Sequence, residues 1–219
     1  MLASQIIHTS YPTVNLTDKI AFALQLMEDY DVLHLPVASD GKFAGLVSKD
    51  DLLDNDENEP VLALQEQLVK VAVHGNEHIL TALKHFAEHQ LSLIAVINTQ
   101  QEPEGVITRE QLVQSLSRFM GVEEPGGMIV LEVEKRNYSF GEISRLVETN
   151  DAYITQLNTY YEPETGMVQL TLKINRPELS DIIATFQRYE YTVRYCFGEE
   201  QYANELKENF NHLIAYLNM

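Results

Sequence analysis

Two four-residue stretches of this chain, Ser48-Lys49-Asp50-Asp51 and Thr108-Arg109-Glu110-Gln111, each place a hydroxyl, a cation and a polar side chain three positions on. That spacing has two chemical uses. A hydroxyl followed three residues later by a carboxylate or amide is a helix-capping box: the hydroxyl accepts from the third helical N–H and the later side chain reaches back. The same start of a helix, with free N–H groups and the positive end of the dipole, attracts a phosphate. Lys49 and Arg109 follow the hydroxyl in both copies and add positive charge. The carboxylate of Asp51 has two oxygens that can take both hydroxyls of a ribose, whereas Gln111 is longer and neutral and suits a diol less well. Capping and ligand binding both stand on these residues, and the first does not exclude the second.

The elements that carry the stretches also repeat. "GLVSKDDL" at 45–52 is matched by "GVITREQL" at 105–112, and "VNLTDKIAFALQLMEDYDVLHLPV" at 14–37 by "VHGNEHILTALKHFAEHQLSLIAV" at 73–96. Val14 aligns with Val73, Ile20 with Ile79, Leu24 with Leu83 and Val37 with Val96 at one offset, and an extra residue in the second loop brings Gly45 opposite Gly105. Each copy has a helix-period segment (Ile20, Ala23, Leu24 and Met27 in the first), a short strand, a turn such as Ser39-Asp40-Gly41-Lys42, a second strand and a helix starting at the hydroxyl. Two β-α-β-β-α units in tandem are expected to pack on one another. "EEPGG" at 123–127 reads as a linker. Beyond it come a strand, a helix with Ile143, Leu146 and Val147, a hairpin around "EPETG", a helix with Pro177 in its first turn, and a closing strand. That order is the split β-α-β-β-α-β arrangement. In the tail, Tyr202, Leu206, Phe210, Leu213 and Leu217 recur at helical spacing, so 199–219 reads as an amphipathic helix. The expected class is mixed α/β (α+β), with domains at 1–122 (repeats at about 1–58 and 59–122) and 128–198.

Composition narrows the function. Of 219 residues, 33 are Asp or Glu and 15 Lys or Arg, a net charge of −18 that repels nucleic acid and anionic membranes. One cysteine, Cys196, excludes an intrachain disulfide and reads as a buried thiol in a strand. No stretch approaches the ~18 apolar residues of a membrane span, and the opening "MLASQIIHTS" lacks a basic segment followed by an apolar run. The expectation is a soluble cytoplasmic protein. "DNDENE" at 54–59 has Asp54, Asp56 and Asn58 at calcium-loop spacing, but Glu59 and Gln65 stand where the loop needs Gly and Glu, so it reads as a solvated acidic loop. His78, His85 and His89 lie near one helical face and read as exposed helix histidines, with no metal. Nothing in the sequence assembles a nucleophile, a base and an oxyanion site, so the chain is read as a non-enzyme.

The tandem repeat with "LPV" at 35–37, "GLVSKDD" at 45–51 and "GVITREQ" at 105–111 resembles a pair of CBS domains. The second domain resembles an ACT-like domain by element order. The two together resemble the bacterial acetoin-utilisation regulatory proteins. This resemblance implies a cytoplasmic, non-catalytic homodimer that acts on an unknown regulated protein. It requires no cofactor, and its clefts take AMP, ADP, ATP or S-adenosylmethionine. It implies that each hydroxyl motif sits beside the base pocket of the other repeat. The first cleft then uses Ser48, Lys49 and Asp51, with His34 near phosphate and Val71, Val73, Ser92 and Leu93 around the base. The second, weaker cleft uses Thr108, Arg109 and Gln111, with Pro12, Val14 and Leu33 around the base, and has Leu93 in the place of His34. In the ACT-like domain the first turn is the loop that would hold an amino acid: Asn137, Tyr138, Ser139, Phe140 and Gly141. It lacks the aspartate of ligand-binding relatives. The alternative to sensing is a ligand-free dimerisation scaffold.

Overall fold

The computed structural model describes residues 1–198; residues 199–219, where the sequence predicts an amphipathic helix, lie outside the described residues. The chain divides into two compact units, Met1–Phe119 and a second that starts at Met120.

The first unit repeats one β-α-β-β-α plan. Its first copy runs β1 (Val14–Asn15), α1 (Ile20–Asp29), β2 (His34–Ser39), β3 (Lys42–Ser48) and α2 (Lys49–Leu53). The second runs β4 (Ala72–His74), α3 (Ile79–His89), β5 (Leu93–Ile97), β6 (Pro103–Thr108) and α4 (Arg109–Phe119). Each copy makes a three-stranded sheet, β1-β2-β3 and β4-β5-β6, with a parallel then an antiparallel pair. The registers repeat as the sequence alignment requires: Val14 faces Val37 and Val73 faces Val96, while Val37 faces Gly45 and Val96 faces Gly105. Apolar spacing explains the helices, since Ile20, Ala23, Leu24 and Met27 of α1 and Ile79, Ala82 and Phe86 of α3 all enter one shared core. Both sheets contribute to that core, with Leu35, Leu46, Leu93, Ile94 and Ile107 among its fully buried side chains.

The repeated glycine has a steric cause. A Cβ on Gly105 would stand 2.6 Å from the carbonyl of His8, and one on Gly45 2.7 Å from Cβ of Leu68. Both glycines also have φ near +150°, at +152° and +153°. Each lets a distant segment close on its strand: His8 pairs with Val106, and Val69 pairs with Leu46, through reciprocal backbone bonds of 2.8–3.0 Å. The segment before each repeat therefore bonds to the other side of the unit. The copies differ most in their last helix. α2 has 5 residues and α4 has 11. After Leu53 the Asp- and Asn-rich stretch favours turns over helix. There Asp56 Oδ1 accepts the Asn58 N–H at 2.9 Å, and the carbonyls of Glu57 and Glu59 accept the first N–H groups of α1. The acidic loop is thus a cap for α1.

The second unit orders β7 (Gly127–Glu134), α5 (Phe140–Glu148), β8 (Ile154–Glu162), β9 (Met167–Ile174), α6 (Ser180–Arg188) and β10 (Thr192–Phe197). Its antiparallel sheet runs β10-β7-β9-β8, the ferredoxin-like order. Ile143, Leu146 and Val147 of α5 and Ile182 and Phe186 of α6 cover the sheet face that carries Ile129, Leu131, Leu170 and Leu172. One local expectation is corrected. Pro177 lies ahead of α6, whose N-cap is Leu179, because Arg176 O is held by the Gly127 N–H at 3.0 Å and the chain turns before the helix begins. At the end of "EEPGG" a Cβ on Gly126 would run into Ile174 O, and one on Gly127 would stand 2.7 Å from Leu179. These glycines allow close packing. Cys196 is half-buried against this core.

Candidate functional site

The two hydroxyl motifs occupy equivalent places. Ser48 ends β3 opposite His34, and Thr108 ends β6 opposite Leu93. The next residue in each copy donates its N–H across the hairpin, Lys49 to Leu33 O at 2.9 Å and Arg109 to Ser92 O at 3.0 Å. Both hydroxyls cap their helices, but differently. In the second copy the box is closed: Gln111 N–H donates to Thr108 Oγ1 at 3.2 Å, and Gln111 Oε1 accepts the Thr108 N–H at 3.0 Å. In the first, Asp51 N–H donates to Ser48 Oγ at 3.1 Å, but the shorter carboxylate takes the Ser48 hydroxyl itself at 2.6 Å. The substitution of Gln for Asp therefore changes the cap as well as the charge.

The copies meet where Leu33 and His34 face Ser92. Leu33 N–H donates to Ser92 Oγ at 3.1 Å, and Ser92 N–H donates to His34 Nδ1 at 3.2 Å. With Ser92 Oγ also 3.1 Å from Nδ1, the serine hydroxyl can receive from Leu33 and give to the imidazole. An Nδ1 that accepts a backbone N–H is unprotonated. Burial lowers the His34 pKa from its ordinary 6.5, and Arg109 lowers it further, against the opposing pull of Asp51 and Asp50. His34 is thus a neutral ring tying the two repeats together.

Beside Thr108 and Gln111 opens a cavity of about 420 Å³, lined by His8, Tyr11, Tyr30, Asp31, Val32, Ser92 and Glu110 as well as those two. His8 meets Tyr11 edge to face at 5.1 Å, and Tyr11 meets Tyr30 at 5.4 Å, so three rings cluster in its lining. The lining also holds the hydroxyl of Thr108, the amide of Gln111 and the start of the longer helix α4. Arg109 takes a role unlike the one expected of it. Its guanidinium donates to Leu91 O at 2.6 and 3.2 Å and to Gln90 O at 3.3 Å, fastening the turn that ends α3. The cavity's charged lining is therefore acidic, from Asp31 and Glu110.

The remaining expected residues fall into two groups. Val14, Val73 and Leu93 are fully buried in the core and offer no surface to a ligand as they stand. Pro12, Val71, Ser48, Lys49 and Asp51 are half-buried, and Leu33 is 57% exposed. The structure brings Ser92 to the second hydroxyl motif as well as to His34. The sequence reading did not find His8, Tyr11, Tyr30, Asp31 or Val32. One signal was available: Asp31 aligns with Gln90 in the repeat, and both take a left-handed φ, 51° and 52°, at the end of their helices.

In the second unit a separate cavity of about 590 Å³ lies between the β7–α5 turn and the α6–β10 turn. Asn137, Tyr138 and Ser139 line it with Glu132, Glu134, Arg136, Glu142 and Tyr191. Ser139 caps α5 through the Glu142 N–H, and Phe140 and Gly141 are the first helical residues, both exposed. Tyr191 OH donates to Glu142 at 3.0 Å; burial and that carboxylate push its phenol up to about 12.

The family model of the CBS domain matches residues 3–58 and 67–118. A crystal structure of a CBS domain pair/ACT domain protein from Thermotoga maritima aligns at 24% identity over 55% of this chain and 99% of that one, with a TM-score of 0.50. The CBS domains of a transcriptional regulator from Streptococcus pneumoniae align at 17% over 52% and 98%, with a TM-score of 0.47. CBSX2 in complex with AMP aligns at 21% over 54% and 97%, with a TM-score of 0.43. The matched residues cover both β-α-β-β-α copies, and the N-terminal unit of this chain is a tandem pair of CBS domains.

Proposed function

We propose that this chain is a non-catalytic regulatory protein whose CBS pair binds an adenosine-containing ligand in the cleft beside Thr108 and Gln111. The observation that carries the reading is the cavity of about 420 Å³ whose lining combines the rings of His8, Tyr11 and Tyr30 with the polar side chains of Thr108 and Gln111. A purine stacks on an aromatic ring with about 1–3 kcal/mol per base. A ribose then reaches the hydroxyl, Gln111 and Asp31. Arg109 points its donors at Leu91 O and Gln90 O and keeps only its charge for the cleft, while Asp31 and Glu110 in the lining oppose the several negative charges of a triphosphate. Among the adenosine ligands considered, the cationic S-adenosylmethionine suits this cleft best and ATP least. A second reading places the ligand in the first cleft, and it is favoured by Asp51, the carboxylate at the ribose position. Against it, α2 is only 5 residues long and its dipole correspondingly short.

Isothermal titration of the full chain with S-adenosylmethionine, AMP and ATP tests both. Loss of binding in Tyr11→Ala with retention in Asp51→Ala supports the second cleft, and the reverse supports the first. No heat from any of the three ligands leaves the dimerisation scaffold as the function. The same samples, sized by light scattering, test the expected homodimer against the 25.0 kDa monomer. The second unit, on this reading, is an ACT-like association module. Its turn begins a helix directly at Phe140, and Gly141 meets no neighbour that would demand a glycine.

A further inference from the structure

We propose that His85, Glu88 and His89 form a surface site for a divalent transition-metal ion of the zinc, nickel or copper class. The three residues lie three and four positions apart near the end of α3, so they share one face of the helix. One donor atom of each lies within 4.8 Å of the others. The two imidazoles stand one turn apart, with centroids at 6.2 Å and planes at 28°. His85 Nδ1 is sealed from solvent and has no hydrogen-bond partner; its neighbour is Glu88 Oε2 at 3.9 Å, too far for a hydrogen bond. Ligation to a metal would give His85 Nδ1 the partner it lacks.

Metal–nitrogen and metal–oxygen bonds of about 2.0–2.2 Å bring neighbouring ligands closer than these separations. Glu88 and His89 are exposed and can close the gap by rotamer changes alone. The competing contact is Lys84 to Glu88 at 3.8 Å, between side chains 68% and 49% exposed. Such a pair contributes little. Two imidazoles and one carboxylate select borderline transition metals; calcium and magnesium prefer all-oxygen ligands. Water fills the remaining positions. His78 is not a member: its Nδ1 accepts the Leu80 N–H at 3.3 Å at the helix start, and its ring lies against Phe119. The sequence pattern had grouped His78 with the other two histidines; helix geometry puts Glu88 there instead.

Calorimetric titration of metal-stripped full chain with Zn²⁺ or Ni²⁺ near neutral pH tests the site. The expected result is one ion per chain. His89→Ala and His85→Gln should each weaken binding roughly tenfold or more, at least the loss that follows removal of a ligand's supporting partner. His78→Ala should leave it unchanged, and Mg²⁺ should give no heat. Melting curves of the variants check that the fold is retained, and a zinc-dependent rise in melting temperature, reversed by chelator and absent from His89→Ala, gives a second readout. No zinc or nickel binding, binding that survives His85→Gln with His89→Ala, or binding lost in His78→Ala would each overturn the site.

Discussion

Substituting glycines by alanine across the chain separates steric closeness from backbone conformation. At Gly105 both act. A φ of +152° is costly for any L side chain, of the order of 1–3 kcal/mol. The new Cβ would meet His8 O at 2.6 Å and Ile7 Cγ1 at 2.9 Å, and the first of these is backbone. Relief requires the 7–8 segment to withdraw, which breaks the two bonds between His8 and Val106, at about 0.5–1.5 kcal/mol each. Gly105→Ala should therefore cost about 2–6 kcal/mol. Gly45→Ala, at +153° and 2.7 Å from Leu68 Cβ, belongs in the same range, somewhat lower because its nearest neighbour is a side chain. Gly41→Ala has only the hairpin φ of +78° and no atom within 4 Å, so about 1 kcal/mol is expected. Gly141→Ala sits in the first turn of α5 with no neighbour and should stabilise the second unit by about 0.5–1 kcal/mol. Urea unfolding of the full chain, with the two units' transitions fitted separately, gives the ranking. Gly105→Ala also displaces His8 from the wall of the second cleft and should weaken adenosine-ligand binding, which Gly45→Ala should spare. A Gly105→Ala cost no larger than that of Gly41→Ala would refute the close-approach account.

Three further perturbations follow from the site. Gln111→Ala opens the capping box of α4 and should cost the first unit about 1 kcal/mol, whereas Asp51→Gln can close the box that aspartate leaves open and should leave the melting temperature nearly unchanged. His34 has its folded pKa below its ordinary 6.5, so the unfolded chain binds the extra proton first as pH falls. Stability from this group is full above 6.5 and is lost as pH drops from there toward the folded pKa; an NMR titration placing His34 above 6.5 would contradict the neutral-ring assignment. Tyr191→Phe should remove the phenol that ionises at about 12, seen as a missing step at the alkaline end of an ultraviolet titration, and should free Glu142 in the second cavity.

The sheets were legible because apolar residues fix them. Val14 and Val73, Val37 and Val96 align in sequence and pair in register, and a slip by one residue would turn those buried side chains outward. The hydroxyl motifs were legible as helix caps for the same local reason. The aromatic side chains of the cleft were not. His8 and Tyr11 belong to a segment without periodicity, and the His8–Val106 bridge brings them beside Thr108, a contact between the start of the first repeat and the end of the second. Its one local trace is Gly105, whose missing Cβ makes room for that bridge. Arg109 misled for a different reason. Its charge was visible, but the carbonyls of Gln90 and Leu91 that hold it lie in a turn whose geometry no short-range pattern records.

The two hydroxyl motifs stand on one backbone plan but in different surroundings. The first keeps a carboxylate at Asp51 and places the neutral ring of His34 against Ser92; the second trades these for Gln111 and Leu93 but gains Tyr11, Tyr30 and a longer helix. Because the second cleft is walled by the N-terminal segment, the α1–β2 turn and the β6–α4 junction, a ligand there touches both repeats at once. Without it, the segments are joined by the His8–Val106 bonds and by the Leu33, His34 and Ser92 contacts. On the proposed reading a ligand at a hundred times its Kd stabilises the joined state by about 2.7 kcal/mol. That is comparable to breaking the whole His8–Val106 bridge at about 0.5–1.5 kcal/mol per bond. An arrangement of the repeats that opens this bridge would therefore be disfavoured by ligand to an extent a regulated partner could read, which is the differential affinity that a signal requires.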